Sequence, residues 1–207
     1  MIAARWPLTD IAVVEELPRP ERGLIASIHH PAGPITAVSW GAPNAAGASR
    51  AVKMRAYRHM ATMLAQLPAP VVVGIDTNSW HDPPHGTDTV TDPDWAAEHD
   101  FLDRCAAHGL IDVQRALVDA DPYRRRLLAD LRPHGPVAAT FIRRPYHQPR
   151  QIAGSIANGT SWGLDRMDRL FVSTDITPLA CESLYHEAID AGGDHAAIIA
   201  DIRLPRA

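Results

Sequence analysis

The chain has 207 residues, 46% hydrophobic and 21% charged, which is the composition of one folded domain and excludes global disorder. No apolar run reaches the ~18–20 residues of a membrane-spanning helix, and residues 1–10 lack a signal-peptide pattern. We therefore expect a cytoplasmic protein without a membrane span. The net charge of −4 disfavours a protein that coats DNA without sequence preference. The presence of only two cysteines disfavours a framework of disulfide bonds.

Short apolar segments in the N-terminal third predict strands, and a change to helical spacing then predicts an amphipathic helix from Ser49 to Leu67. The three strands are expected at Ile11–Leu17, Gly23–His29 and Ile35–Trp40. Prolines end the helix, and the apolar run Val71–Ile75 that follows predicts a central strand buried on both faces.

The second half of the chain predicts helices and strands in alternation. Asp92 followed by Pro93 is typical of a helix start, and Gly109 is typical of the end of that helix. Further strands are expected at Leu110–Val113, Ala138–Ile142, Arg166–Ser173, Ile176–Glu182 and Ala196–Leu204, with a short helix at Pro122–Leu131. This mixture, without a repeat or a linker, predicts a single α/β or α+β domain over residues 1–207.

Residues 133–164 contain no Asp or Glu, although the chain as a whole is acidic. This stretch carries Arg143, Arg144 and Arg150, so it is a locally positive segment. Two interpretations stay open here: a solvated basic loop, or a loop that binds the phosphate of a substrate.

Polar side chains follow the predicted buried strand at its carboxyl end. Asp76 and Asn78 lie two residues apart, so their side chains can point the same way on an extended backbone. A carboxylate can accept a proton or orient a water molecule, and an amide can donate a hydrogen bond to a developing oxyanion. The same two residues could instead form an Asx turn that merely ends the strand.

Two later segments carry further candidates. Asp168 lies in an apolar predicted strand beside arginines, which suits either a structural ion pair or a functional carboxylate. Gly192 and Gly193 precede Asp194 and His195, directly before the last predicted strand, and glycines permit an unusual turn there. His195 could transfer a proton or bind phosphate, or it could be an ordinary histidine in a polar turn.

Taken together and in this order, the three segments resemble the endonuclease/exonuclease/phosphatase superfamily, the DNase-I-like group of nucleases and phosphatases. Asp76 and Asn78 match a strand ending in Gly-Asp-x-Asn, with one residue inserted after the glycine. Asp168 matches an Arg-x-Asp strand, and Asp194 with His195 matches Ser-Asp-His with glycine in the serine position. The resemblance extends over the whole chain.

The resemblance implies a four-layered α/β sandwich, and hydrolysis of a phosphoester, nucleic acid or small phosphate ester, with Mg²⁺ or Mn²⁺. It implies that Asp168 orients His195 toward the scissile phosphate and that Asp76 positions or deprotonates the attacking water. Asn78 would stabilise the charge on the phosphoryl group, Asp194 would lie near the metal, and the positive segment would face the substrate phosphate.

The chain departs from the family pattern in two places. The family's first two strands, with an Asn and a metal-binding Glu, would precede Met1. A family position that holds a His or Tyr falls near Ser39–Trp40–Gly41, where this chain has no imidazole. We therefore expect the fold to lack its first strands, and little activity from this chain alone. A partner chain or self-association is expected to cover the exposed sheet edge.

Three origins stay open: a fragment or wrong start, a degenerate member, or a chain that a partner completes. The sequence thus predicts a Mg²⁺-dependent phosphoesterase or nuclease-type hydrolase. The alternative is a non-catalytic phosphate-binding or assembly module derived from that superfamily.

Overall fold

A computed structural model describes residues 1–43, 50–78, 93–121, 141–142, 164–165, 168–184 and 197–206, together with Glu187, Ala191 and His195. The strands are β1 (Leu8–Val13), β2 (Gly23–His30), β3 (Gly33–Gly41), β4 (Val71–Asp76), β5 (Leu110–Asp112), β6 (Phe141–Ile142), β7 (Leu164–Asp165), β8 (Asp168–Ser173), β9 (Thr177–Leu184) and β10 (Ala197–Arg203). The helices are α1 (Arg50–Leu64), α2 (Pro93–Ala107) and α3 (Val113–Ala120), and a 3₁₀ turn at Pro20–Arg22 precedes β2.

Six of the described strands form the main sheet, in the order β1-β2-β3-β4-β8-β5. β3 and β4 are parallel, because α1 crosses over between them, and all other neighbours are antiparallel. β4 is central, as its apolar run predicts: Val71, Val73 and Ile75 are buried, while the residues between them are half-buried. The carboxyl end of this central strand is where Asp76 lies.

The main sheet is covered on both faces. α1 and α2 pack on one face, where Tyr57, Met60 and Phe101 contact a core that includes Val73. Val172 belongs to the opposite face, which the β9–β10 hairpin and α3 cover. Because successive strand residues point to opposite faces, β4 and β8 contribute to both cores. The site described below therefore stands on strands that packing fixes from two sides.

β1 differs from its predicted position. It runs over Leu8–Val13 instead of Ile11–Leu17, and Val14 and Leu17 are buried in the turn that follows. The pairing of β1 with β2 shifts between Thr9 and Ala12, and Asp10 has a left-handed backbone with φ of 50°. This bulge interrupts the alternation of side chains between the two faces of the strand. The positions of the apolar residues therefore do not predict where the strand begins and ends.

α3 also differs from the predicted elements. Its N-terminus is capped by Asp112, whose carboxylate accepts a hydrogen bond from the backbone N–H of Arg115 at 3.2 Å. The strand predicted at Leu110–Val113 therefore ends at Asp112. The predicted helix Pro122–Leu131 lies outside the described residues. None of the helices that the structure describes is long and apolar enough to cross a membrane.

Candidate active site

Sheet register brings two of the predicted carboxylates together. Asp76 ends β4 and Asp168 begins β8, and the two residues are direct partners in the antiparallel ladder. Directly opposed residues share a face of the sheet, so their side chains are neighbours. The pairing therefore concentrates negative charge at one end of the two strands.

His195 contacts this pair from the segment before β10. Its Nδ1 lies 2.8 Å from Oδ2 of Asp168, and the two side chains are 34% and 19% exposed. With a carboxylate as its partner, Nδ1 carries a proton and donates it to the hydrogen bond. Nε2 is then the basic nitrogen of the neutral ring, which is the arrangement that proton transfer by an oriented histidine requires.

Arg169, the neighbour of Asp168 in β8, forms a buried ion pair with Asp112. The guanidinium of Arg169 lies 3.2 Å from Asp112, and the Arg169 side chain is only 2% exposed. Arg169 therefore joins β8 to β5 inside the protein, while the carboxylate of Asp168 contacts His195.

Asn78 holds the carboxylate of Asp76 in place. The backbone N–H of Asn78 donates to Oδ1 of Asp76 at 2.8 Å, and Nδ2 donates to Oδ2 at 2.9 Å. The same amide nitrogen donates to the carbonyl of Ala42 at 2.7 Å. The structure contains the Asx turn that the sequence allowed, and through this turn Asn78 orients Asp76. A role of Asn78 on the phosphoryl group stays a prediction.

α1 supplies two side chains that the sequence analysis did not select. Lys53 donates from Nζ to the backbone carbonyl of Asn78 at 2.7 Å, and the hydroxyl of Tyr57 donates to the carbonyl of Thr77 at 2.6 Å. Asn78 has φ of 47°, a left-handed conformation that a non-glycine residue adopts at an energetic cost. One signal could have indicated Lys53: it is the single lysine of the chain.

The electrostatics of the site favour a protonatable Asp76. Burial raises the pKa of the Asp76 carboxyl above its ordinary value, and the neighbouring carboxylate of Asp168 adds to the rise. The backbone N–H of Asn78 and the charges of His195 and Arg22 act in the opposite direction. A carboxylate in such surroundings accepts a proton more readily than an exposed one does.

A groove of about 510 Å³ opens onto these groups, and its wall includes Asp76, Asp168, Arg22 and Gly41. The ligand atoms of Asp76, Asp168 and His195 all lie within 4.8 Å of one another. Carboxylate oxygens are the ligands that Mg²⁺ and Mn²⁺ prefer, so the two carboxylates fit a divalent cation of the expected kind.

The remaining predicted site residues lie outside the described part of the chain. These are the proposed metal ligand and the substrate-binding arginines, namely Asp194, Arg143, Arg144 and Arg150. Their roles stay predictions. The four residues predicted as catalytic are all described, and the structure brings them to one end of β4 and β8.

Comparison with known proteins bears on the fold. No protein-family model matches the chain, and no curated protein matches it. Solved structures do match. An endonuclease/exonuclease/phosphatase protein from Beutenbergia cavernae has a TM-score of 0.55 and 17% identity, over 98% of this chain and 46% of that one.

Two further matches have names that state an activity or a role. The 3′ phosphatase NExo from Neisseria, bound to a product DNA hairpin, has a TM-score of 0.60 and 14% identity over 97% of this chain and 73% of that one. The catalytic domain of APE2 from Xenopus laevis has a TM-score of 0.54 and 14% identity, over 90% of this chain and 57% of that one.

These matches confirm the resemblance at the level of fold. The chain has the DNase-I-like α/β fold that endonuclease/exonuclease/phosphatase proteins share. It spans less than two thirds of the Beutenbergia and Xenopus chains. The expected fold class is therefore confirmed, and the activity is a matter for proposal.

Proposed function

We propose that this protein is a divalent-metal-dependent phosphoesterase that hydrolyses a phosphoester bond in nucleic acid or in a smaller phosphate ester. One observation carries the proposal: His195 contacts Asp168 at 2.8 Å beside the carboxylate of Asp76, and both aspartates line an open groove. A base, an oriented imidazole and a second carboxylate are the groups that water attack on phosphorus requires.

Asp76 is the residue that positions the attacking water and accepts its proton. Two hydrogen bonds from Asn78 fix the direction of the carboxylate, and each carboxylate oxygen keeps a further lone pair for the water. The raised pKa of Asp76 suits this role, because a carboxylate with a raised pKa is a stronger base.

Nε2 of the neutral His195 ring takes up a proton from solvent, and the imidazolium then donates an Nε2–H hydrogen bond to the scissile phosphate and gives this proton to the leaving oxygen. Asp168 accepts the hydrogen bond from Nδ1, which holds the ring in one orientation and stabilises its protonated form. The partly exposed position of His195 gives the substrate access to the ring.

Asp76 and Asp168 would hold the divalent cation, and Asp194 would lie beside it. When bound, such an ion neutralises charge on the phosphoryl oxygens. Without it, two carboxylates side by side would repel an anionic substrate, so the acidic pair itself argues for metal dependence.

Nucleic acid is the first substrate to test. The Neisseria structure of the same fold carries a product DNA hairpin, which supports a DNA end as a substrate in that protein. In this chain the acid-free stretch with Arg143, Arg144 and Arg150 would contact phosphates. Small phosphate esters form the second arm of the test, since the acidic net charge suits a single phosphate.

The test compares two aspartate variants on both substrate classes. The wild-type protein and each variant are incubated with a DNA hairpin that has a 3′ phosphate, or with a p-nitrophenyl phosphodiester. Each reaction is run with Mn²⁺, with Mg²⁺ and with EDTA. We expect product release that is slow, because little activity is predicted for this chain alone, that EDTA abolishes and that Asp76→Asn lowers about a hundredfold. Asp103→Asn on the exposed side of α2 is the matched control and keeps the wild-type rate. Equal rates in both variants would refute the role of Asp76.

Calorimetric titration with Mg²⁺ separates the enzyme from the non-catalytic alternative. We expect millimolar or tighter binding that Asp194→Ala removes. The alternative of a phosphate-binding or assembly module draws on Gly41, which lines the groove without an imidazole. Phosphate binding without metal binding or hydrolysis would support that module and contradict the enzyme.

The cellular setting belongs to the same proposal. Cys105 and Cys181 are buried and are not joined by a disulfide, which suits a reducing cytoplasm.

We further propose that a partner chain or a second copy covers the edge of the main sheet at β1. On this strand Ile11 is 60% exposed and Val13 is 42% exposed, and β2 is its one neighbour among the described strands. If light scattering finds only monomers, a second copy is excluded, and the proposed partner is a different chain.

A further inference from the structure

Arg22 lines the groove, although it belongs to none of the sequence motifs that indicate the site. It ends the 3₁₀ turn before β2, and its side chain is half-buried. Its Nη1 donates to the carbonyl of Ala42 at 2.8 Å, the same oxygen that accepts a hydrogen bond from Asn78. One carbonyl therefore ties the guanidinium to the residue that orients Asp76.

Two glycines lie beside Arg22. Gly23 follows it in the chain, and a Cβ atom there would meet Cδ1 of Leu17 and Cβ of Val14, so the turn packs closely against these side chains. Gly41 leaves the space beside the guanidinium open, because a Cβ at this position would lie 3.9 Å from Nη1 and meet nothing nearer. The wall of the groove at Gly41 thus ends in the guanidinium of Arg22.

Arg22 also differs from the other arginine that lines the groove. Arg169 is 2% exposed and is paired with Asp112. Within the part of the chain that the structure describes, Arg22 donates to the Ala42 carbonyl and has no carboxylate partner.

We propose that Arg22 binds a non-bridging oxygen of the substrate phosphate and is a substrate-binding residue of this site. The planar guanidinium has five N–H donors, of which one is used by Ala42, and its fork matches the oxygens of a phosphate. It supplies positive charge beside Asp76 and Asp168, where an anion would otherwise be repelled.

The inference rests on the proposed function, but it is tested by binding alone. Inorganic phosphate is titrated calorimetrically into the Mn²⁺-loaded protein and three variants. Arg22→Gln keeps an N–H donor for the Ala42 carbonyl and removes the charge, and Arg22→Lys keeps the charge without the fork. Arg58→Gln, at an exposed position of α1, is the matched control.

We expect Arg22→Gln to weaken phosphate binding about tenfold or more, Arg22→Lys to weaken it less, and Arg58→Gln to leave it unchanged. Thermal unfolding of each variant checks that the fold is intact. Wild-type affinity in folded Arg22→Gln would overturn the inference, and so would a wild-type protein that does not bind phosphate.

The two proposals fail in distinguishable ways. Arg22-dependent phosphate binding by a protein that hydrolyses neither test substrate would refute the proposed function and leave the role of Arg22 standing. Hydrolysis with an unchanged KM and unchanged phosphate affinity in Arg22→Gln would refute the role of Arg22 alone.

Discussion

Asn78 orients the carboxylate of Asp76 and so sets the geometry of the candidate site. Its left-handed backbone, with φ of 47°, directs both its N–H and its amide group toward Asp76. Non-glycine residues in this region cost of the order of 1 kcal/mol or more, and asparagine tolerates it better than most. Lys53 and Tyr57 hold the two carbonyls at this turn, so α1 compensates for the strain.

Replacing Lys53 tests this support. In Lys53→Met the carbonyl of Asn78 loses its ammonium donor, and we expect kcat to fall about tenfold with a smaller change in KM, because the Asp76 carboxylate is less well placed. Steady-state kinetics of phosphoester hydrolysis measure the effect. Arg55→Met, at an exposed position of the same helix, is the control. A Lys53→Met enzyme with wild-type kcat would show that Lys53 does not position the site.

Cys105 gives a residue-scale test of the core. Burial raises the pKa of its thiol to about 12, and the charge of Arg169 opposes the rise only in part. The thiolate is the reactive form, so Cys105 is expected to resist iodoacetamide in the native protein near neutral pH and to react fully in urea. Mass spectrometry of the labelled peptide reads the result. Rapid native labelling of Cys105 would contradict the packing of α2 on the sheet.

At the scale of elements, α1 joins the core to the site. One face carries Met60 and Tyr57 into the core, and the turn containing Lys53 reaches the end of β4. Helical spacing of apolar residues predicts this helix, and the apolar run Val71–Ile75 predicts β4, because both signals are local. The Asp112 cap that starts α3 was a local signal too, but the apolar run before it obscured the boundary.

Pairing of elements could not be predicted in the same way. Asp76 and Asp168 become neighbours only through the register of β4 with β8, which lie far apart in the chain. The family resemblance predicted that these residues act together, whereas local pattern left each of them ambiguous. Arg22 and Lys53 were missed because their contacts are with backbone carbonyls, and such contacts leave no spacing in the sequence.

The packing of α1 gives an element-scale prediction. Met60 is fully buried, so Met60→Ala should lower the free energy of unfolding by about 2–5 kcal/mol. Met63 lies on the same helix and is only partly buried, so Met63→Ala should cost clearly less. Urea unfolding of the two variants, followed by circular dichroism, makes the comparison. Equal losses would mean that α1 presents a different face to the sheet.

At the scale of the whole molecule, two hydrophobic cores pack against the strands that carry the candidate site. Helices pack on one face of the main sheet and the β9–β10 hairpin packs on the other, so β4 and β8 are fixed from both sides. The residues that close the site come from separate elements: Arg22 from the turn before β2, Lys53 from α1, and His195 from the segment before β10. The fold therefore holds these side chains in one arrangement, as the proposed function requires.

The central claim is that His195, oriented by Asp168, acts in metal-dependent phosphoester hydrolysis. The most direct test measures hydrolysis of the 3′-phosphate DNA hairpin and the p-nitrophenyl phosphodiester by wild type, His195→Ala and His108→Ala at saturating Mn²⁺; His108 is exposed and lies outside the site. We predict that His195→Ala lowers the rate about a hundredfold or more and that His108→Ala keeps it. Equal rates in wild type and folded His195→Ala, or no wild-type hydrolysis of either substrate, would contradict the account.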